Sequence, residues 1–145
     1  RSVFQGFRSD GGEEMILKKN IFLERILGST GGGLSDQVMD NYRRPYLQPG
    51  ESRRPMLTWP RELPINGEPA DMVELVTEIG RWMENSPIPK LFIYANPGAI
   101  LQGRQLSFCR NFPNQREVEV EGTHFIQEEQ PSSIGRALAE WYAVI

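Results

Sequence analysis

Only two stretches of this 145-residue chain read as β-strands, and that shortage constrains its fold more than any other feature. Leu91-Phe92-Ile93-Tyr94 is a short, continuously apolar run, as a parallel strand buried on both faces requires. Glu117-Val118-Glu119-Val120-Glu121 alternates like a half-buried strand. Helical periodicity surrounds both. Pro69 sits at a first helical position with Asp71 in the first turn. Met72, Val73, Leu75, Val76, Ile79, Trp82 and Met83 then recur at helical spacing until Asn85-Ser86-Pro87 and Pro89 end the helix. After an Asn96-Pro97-Gly98 turn, residues 100–111 predict a second helix through Leu101, Gln105, Phe108 and Cys109. Pro131 opens a third, with Ile134, Ala137, Leu138, Trp141 and Ile145 on one face. Helix, strand, helix, strand, helix defines an α/β class with crossover connections. Two parallel strands among three helices cannot make a sheet covered on both faces. The pattern therefore predicts further strands from elsewhere, and the chain reads as part of a larger fold.

The texture changes near residues 64–68, where a subdomain boundary is expected. Before Gly67 the chain is punctuated by Gly31-Gly32-Gly33, Pro45, Pro49, Pro55, Pro60 and Pro64. Basic residues lead acidic ones there by ten to eight, whereas acidic residues lead by eleven to six beyond it. Short helices are predicted over Glu13–Leu17, over Asn20–Leu27 with Asn20 as N-cap (or the two joined in one bent helix), and from Ser35 to Tyr42. Arg53–Pro64 is expected to be irregular, docking Met56, Leu57, Trp59 and Leu63.

The net charge of −3 gives no electrostatic reason to expect nucleic acid or anionic lipid as a partner. No run approaches the roughly 18 apolar residues of a membrane span. The N-terminus has neither Met nor an apolar signal core and reads as a cut point, and the expected compartment is the cytoplasm. One Cys and one His exclude a disulfide framework and a metal site built from clusters of those residues.

Few residues could do chemistry near neutral pH. His124, in Gly122-Thr123-His124-Phe125, follows the last predicted strand, and catalytic groups of open α/β sheets gather at carboxyl strand ends. Two readings stay open for it, a surface or satisfied histidine and a general base. Asn96 follows the preceding strand but cannot stabilise an imidazolium as a carboxylate would, so it reads as a turn or pocket residue. Glu128 and Glu129 read as a solvated helix approach. Cys109, on an apolar helix face, reads as inert. Gly28-Ser29-Thr30-Gly31-Gly32 loosely matches a nucleophile elbow, but no strand precedes it and it lacks a phosphate-loop Lys, so a flexible connection is expected. No hydrolytic nucleophile emerges from the residues.

Several segments together resemble haloalkane dehalogenases of the α/β-hydrolase superfamily. They are Phe4-Gln5-Gly6-Phe7-Arg8, Asn20-Ile21-Phe22-Leu23-Glu24, Tyr42-Arg43-Arg44-Pro45-Tyr46-Leu47 and Arg53-Arg54-Pro55. Trp59 to Ile65, Ser86 to Ile93, Pro97-Gly98-Ala99 and Gly122 to Glu129 continue the series in order along nearly the whole chain. The resemblance implies the C-terminal half of such an enzyme: a helical cap at 1–66, then at 67–145 the last two parallel strands of the core with their helices. It is nearest the subfamily whose catalytic acid is a Glu of the N-terminal half, which leaves Asn96 without that duty. It implies an Asp nucleophile that displaces halide to form an ester, and His124 as the base that activates water against it. Phe22, Ile26, Pro60, Leu63, Ala99 and Ile100 would line an apolar pocket and tunnel. No cofactor is implied; the partners are a halogenated alkane, water, halide ion and the N-terminal half, on the same or a separate chain.

The nucleophile, the acid and the halide-holding Asn and Trp all fall in that other half, so Trp59 is assigned to packing. The Gly-rich stretch Leu27–Leu34 replaces an apolar, Pro-containing one and is a residue shorter, which predicts a looser tunnel mouth. Two other readings remain. One is a coelenterazine-type luciferase of the same superfamily, an epoxide hydrolase being disfavoured on the same grounds. The other is a catalytically silent fragment serving as a binding module.

Overall fold

The computed structural model describes residues 2–145. They form two compact units, one ending at Thr77 and the other Glu78–Ile145.

The first unit is helical. Helix α1, Ser2–Arg8, leads into two wide helical turns, Glu14–Lys18 and Phe22–Leu27. Each is closed by a bond spanning five residues: Lys19 N–H donates to the Glu14 carbonyl at 3.1 Å, and Gly28 N–H to Leu23 at 2.9 Å. Asn20 does not cap the second turn. Its φ of 54° puts it in the left-handed region, which an Asn tolerates, and this breaks the two turns apart. Ser35 does cap α2, Asp36–Arg43, its hydroxyl accepting the Val38 N–H at 3.4 Å.

Residues Arg54–Glu62 form a regular helix, α3, where an irregular segment was expected. Pro55 lies in the first turn, where the missing N–H had no intrahelical partner anyway. Pro60 comes late enough to forfeit a single bond, and it is fully buried. Leu63, ahead of Pro64, turns extended and ends the helix.

The core of this unit joins Phe7, Ile16, Leu17, Leu23, Leu27, Met39, Met56 and Leu57. Phe7, Phe4, Trp59 and Phe22 form a ring of edge-on and tilted contacts with centroids 5.9–6.2 Å apart. A buried guanidinium ties the loops together: Arg53 donates to the carbonyls of Leu17, Lys18, Tyr46 and Leu47 at 2.8–3.3 Å. Arg8 similarly fastens α1 to the chain leaving α3, donating to Leu63 and Glu68 carbonyls.

Helix α4, Ala70–Asn85, passes from the first unit into the second. It begins one residue later than expected: Pro69 stands just outside, its carbonyl accepting the Val73 N–H at 3.1 Å. Its apolar residues Leu75, Val76, Ile79 and Trp82 remain 46–55% exposed.

The second unit holds β1 (Lys90–Pro97), α5 (Gly103–Arg110), β2 (Gln115–Gly122), α6 (Ile126–Glu129) and α7 (Pro131–Tyr142). The strands pair in parallel from Lys90 opposite Gln115 to Pro97 opposite Gly122, with α5 as the crossover. Asn96 and Pro97 continue β1 instead of forming a turn, and α5 starts only at Gly103. The alternation of β2 is realised: Val120 is buried while Glu117, Glu119 and Glu121 are exposed. Leu91 to Tyr94, expected to be buried on both faces, are half-buried. A sheet of two strands has too little cover for more. No helix among the described residues is long and apolar enough to cross a membrane.

Candidate active site

His124 stands two residues beyond the carboxyl end of β2, and the backbone there is held from two sides. The Gly98 N–H donates to the Gly122 carbonyl at 3.0 Å, carrying the parallel ladder one step past Pro97. Gly98 has φ 68°, and a Cβ at that position would meet the Ala95 carbonyl oxygen at 2.9 Å, so glycine is required. On the other side Glu129, in the last turn of α6, reaches back to Thr123. The Thr123 N–H donates to Oε2 at 2.6 Å and its hydroxyl to Oε1 at 2.7 Å. These donors hold the Glu129 carboxyl below the usual carboxylate range, the backbone bond contributing most.

The His124 side chain is exposed, and its ring meets Phe125 at 4.6 Å between centroids. Together with Ile93, Gly98, Ala99, Ile100 and Thr123 it lines a cavity of about 190 Å³ at the carboxyl end of the sheet. This is where an open α/β sheet places its chemistry. The volume lies below the roughly 300 Å³ at which drug-sized pockets begin, and the walls mix apolar with polar surface. The structure thus brings Ala99 and Ile100 to His124.

Phe22, Ile26, Pro60 and Leu63 lie in the first unit. Phe22 lines an almost wholly apolar cavity of about 280 Å³ with Tyr46, Pro55, Met56 and Trp59. Ile26 and Leu63 are half-buried, and Pro60 is enclosed. Trp59, assigned to packing, is 53% exposed while its ring contacts Phe4 and Phe22 edge-on.

Asn96 is neither a turn residue nor a cavity wall. Its Nδ2 donates to Glu119 Oε1 at 2.9 Å, beside the Tyr94 hydroxyl, which donates to Glu119 Oε2 at the same distance. Both bonds lower the Glu119 carboxyl, Asn96 most. Cys109 is half-buried, and burial pushes its thiol up. Among the described residues no group of His, Cys, Asp or Glu could hold a metal ion.

Glu129, expected on a solvated approach, instead anchors the loop through Thr123. Its partner lies six residues back across a turn, so no helical or strand periodicity links the two. The available signal was Gly122: a Cβ there would come within 2.5 Å of Glu129 Oε2.

The parallel strand pair and its helical crossover match the C-terminal part of an α/β-hydrolase fold in solved structures. No protein-family model matches the chain. Over 140 residues, 96% of this chain, it is 51% identical to the haloalkane dehalogenase of Sphingobium indicum. Over 142 residues it is 49% identical to that of Mycolicibacterium smegmatis. The crystal structure of the haloalkane dehalogenase DbeA from Bradyrhizobium elkani matches 98% of the chain with a TM-score of 0.91 and 38% identity. The chain corresponds to the C-terminal half of haloalkane dehalogenases. It spans about half the length of these relatives: 47%, 45% and 50% respectively.

Proposed function

We propose that this chain supplies the hydrolytic base and much of the pocket of a haloalkane dehalogenase, with residues 1–66 as its cap and 67–145 as the last part of its core. The observation that carries the reading is the exposed His124, opening on a cavity that Ala99 and Ile100 also line at the carboxyl end of a parallel strand pair. An aspartate from the N-terminal half, on the same or a separate chain, attacks the carbon bearing the halogen. The carbon–halogen bond breaks and its electron pair leaves with the halide, giving an alkyl ester. His124 then takes a proton from water, and the hydroxide adds to the ester carbonyl. The tetrahedral species expels the alkoxide, which leaves as the alcohol after taking up a proton. The aspartate is restored, with one halide and one proton released per turnover.

An uncharged haloalkane is suited by apolar walls, which Ala99 and Ile100 would offer and, from the cap, Phe22, Ile26 and Leu63; Pro60, fully buried within the first unit, would not. The test is halide release from 1-bromobutane or 1,2-dibromoethane, by this chain mixed with the N-terminal half of the Sphingobium indicum relative. Release in the mixture, abolished by His124→Ala, is expected. Release by this chain alone would contradict the reading, as would a stable mixture that releases nothing.

A further inference from the structure

The loop carrying His124 is fixed by a side chain that touches neither cavity nor ring. Both oxygens of one carboxylate are committed to one residue, Thr123: Oε2 takes its N–H and Oε1 its hydroxyl. The first bond sets the peptide plane before Thr123, and the second sets its side chain, one residue from His124. The opposite side of the loop is set by the Gly98 N–H on the Gly122 carbonyl. His124 itself has little else to hold it, being exposed with its ring against Phe125. Gly122 makes the reach possible, since a Cβ there would lie 2.5 Å from Oε2 and 3.2 Å from Ile126 Cγ2.

The geometry points to Glu129 as the positioning residue of His124, acting through Thr123. This rests on the reading of His124 as the base that hydrolyses the ester. Loss of the clamp leaves halide displacement intact, because that step needs no base, and slows ester hydrolysis. A misplacement of about 1 Å at a catalytic group costs on the order of 10²-fold, so a steady-state loss of tenfold or more is expected for Glu129→Ala. Glu129→Gln rescues: its carbonyl oxygen accepts the Thr123 N–H while its amide donates to the hydroxyl. Gly122→Ala, by pushing the carboxylate away, reproduces Glu129→Ala.

Two readouts test this. His124 is the only histidine of this chain, so the chain labelled with ¹⁵N-histidine and joined to the unlabelled N-terminal half shows a single imidazole by NMR. Wild type and Glu129→Gln should share one narrow signal, and Glu129→Ala and Gly122→Ala should broaden and shift it. An unchanged imidazole in Glu129→Ala overturns the proposal. Should Glu129→Ala fail to fold by circular dichroism, Thr123→Val, which removes the hydroxyl bond alone, decides by the same signal. In the reconstituted enzyme, Glu129→Ala should keep the first-turnover halide burst and lose steady-state turnover. Equal loss of both overturns the positioning role. If wild type itself releases no halide, the dehalogenase reading falls, and the imidazole signals still decide whether Glu129 holds His124.

Discussion

Arg53 shows how much one side chain can hold. Its guanidinium is buried and its donors go to main-chain carbonyls of Leu17, Lys18, Tyr46 and Leu47. Arg53→Met would leave those acceptors in place with the charge and the donors gone. Each orphaned buried group costs about 1–3 kcal/mol, and some of these reach water, so a total loss of about 3 kcal/mol is expected from the urea midpoint. A loss under about 1 kcal/mol would contradict the structural role. Neither Arg53 nor Glu129 was legible as an anchor in the sequence. An Arg in a Pro-rich stretch and a Glu beside another Glu look solvated, because their partners are backbone atoms or a residue set by a turn. His124 was legible as a candidate, since its type and its place after a strand are local facts. Asn96 was misplaced because Pro97 reads as a turn signal, whereas here it closes a strand with no neighbour demanding its N–H.

At the scale of elements, periodicity sufficed where it ran long. Helices α4 and α7 and strand β2 follow their apolar spacing. Helix α3 did not, because two prolines suggested interruption, and only their positions in the helix decide what they cost. The cap at Ser35 is a local device with a local price: Ser35→Ala should destabilise the first unit by about 0.5 kcal/mol, the low end for such caps given the 3.4 Å bond. A change above about 2 kcal/mol in the urea midpoint would mean that Ser35 does more than cap. The two wide turns, Glu14–Lys18 and Phe22–Leu27, left no mark that separates them from ordinary helix. Their apolar residues repeat at spacings compatible with either, and the break at Asn20 depends on a single left-handed residue.

For the whole molecule, the shortage of strands was the informative feature. It anticipated the two-stranded sheet and a chain that is part of a larger fold, in keeping with its spanning about half the length of its relatives. Exposed apolar side chains follow from it: Trp82 on α4 is 55% exposed, and Leu138 and Tyr142 on α7 are 51% and 73% exposed. The isolated chain should therefore self-associate, and sedimentation should show species larger than a monomer; a single sharp monomer boundary would contradict this. Acid should weaken it further. Glu14, Glu24, Glu51, Glu119 and Glu129 all have carboxyls lowered by hydrogen-bonding partners. A lowered folded-state value contributes stability above the unfolded value, about 4.3, and loses it as pH falls through the folded one. The urea midpoint should hold near neutrality and fall below about pH 4; a midpoint unchanged down to pH 3 would contradict these pairings. The central claim is that His124 hydrolyses an ester formed on the other half. Mass spectrometry of the reconstituted His124→Ala enzyme after exposure to 1-bromobutane tests it most directly. The account predicts one butyl group retained on the N-terminal half and one equivalent of halide released. A His124→Ala enzyme that carries no adduct and still yields butanol at the wild-type rate would contradict it.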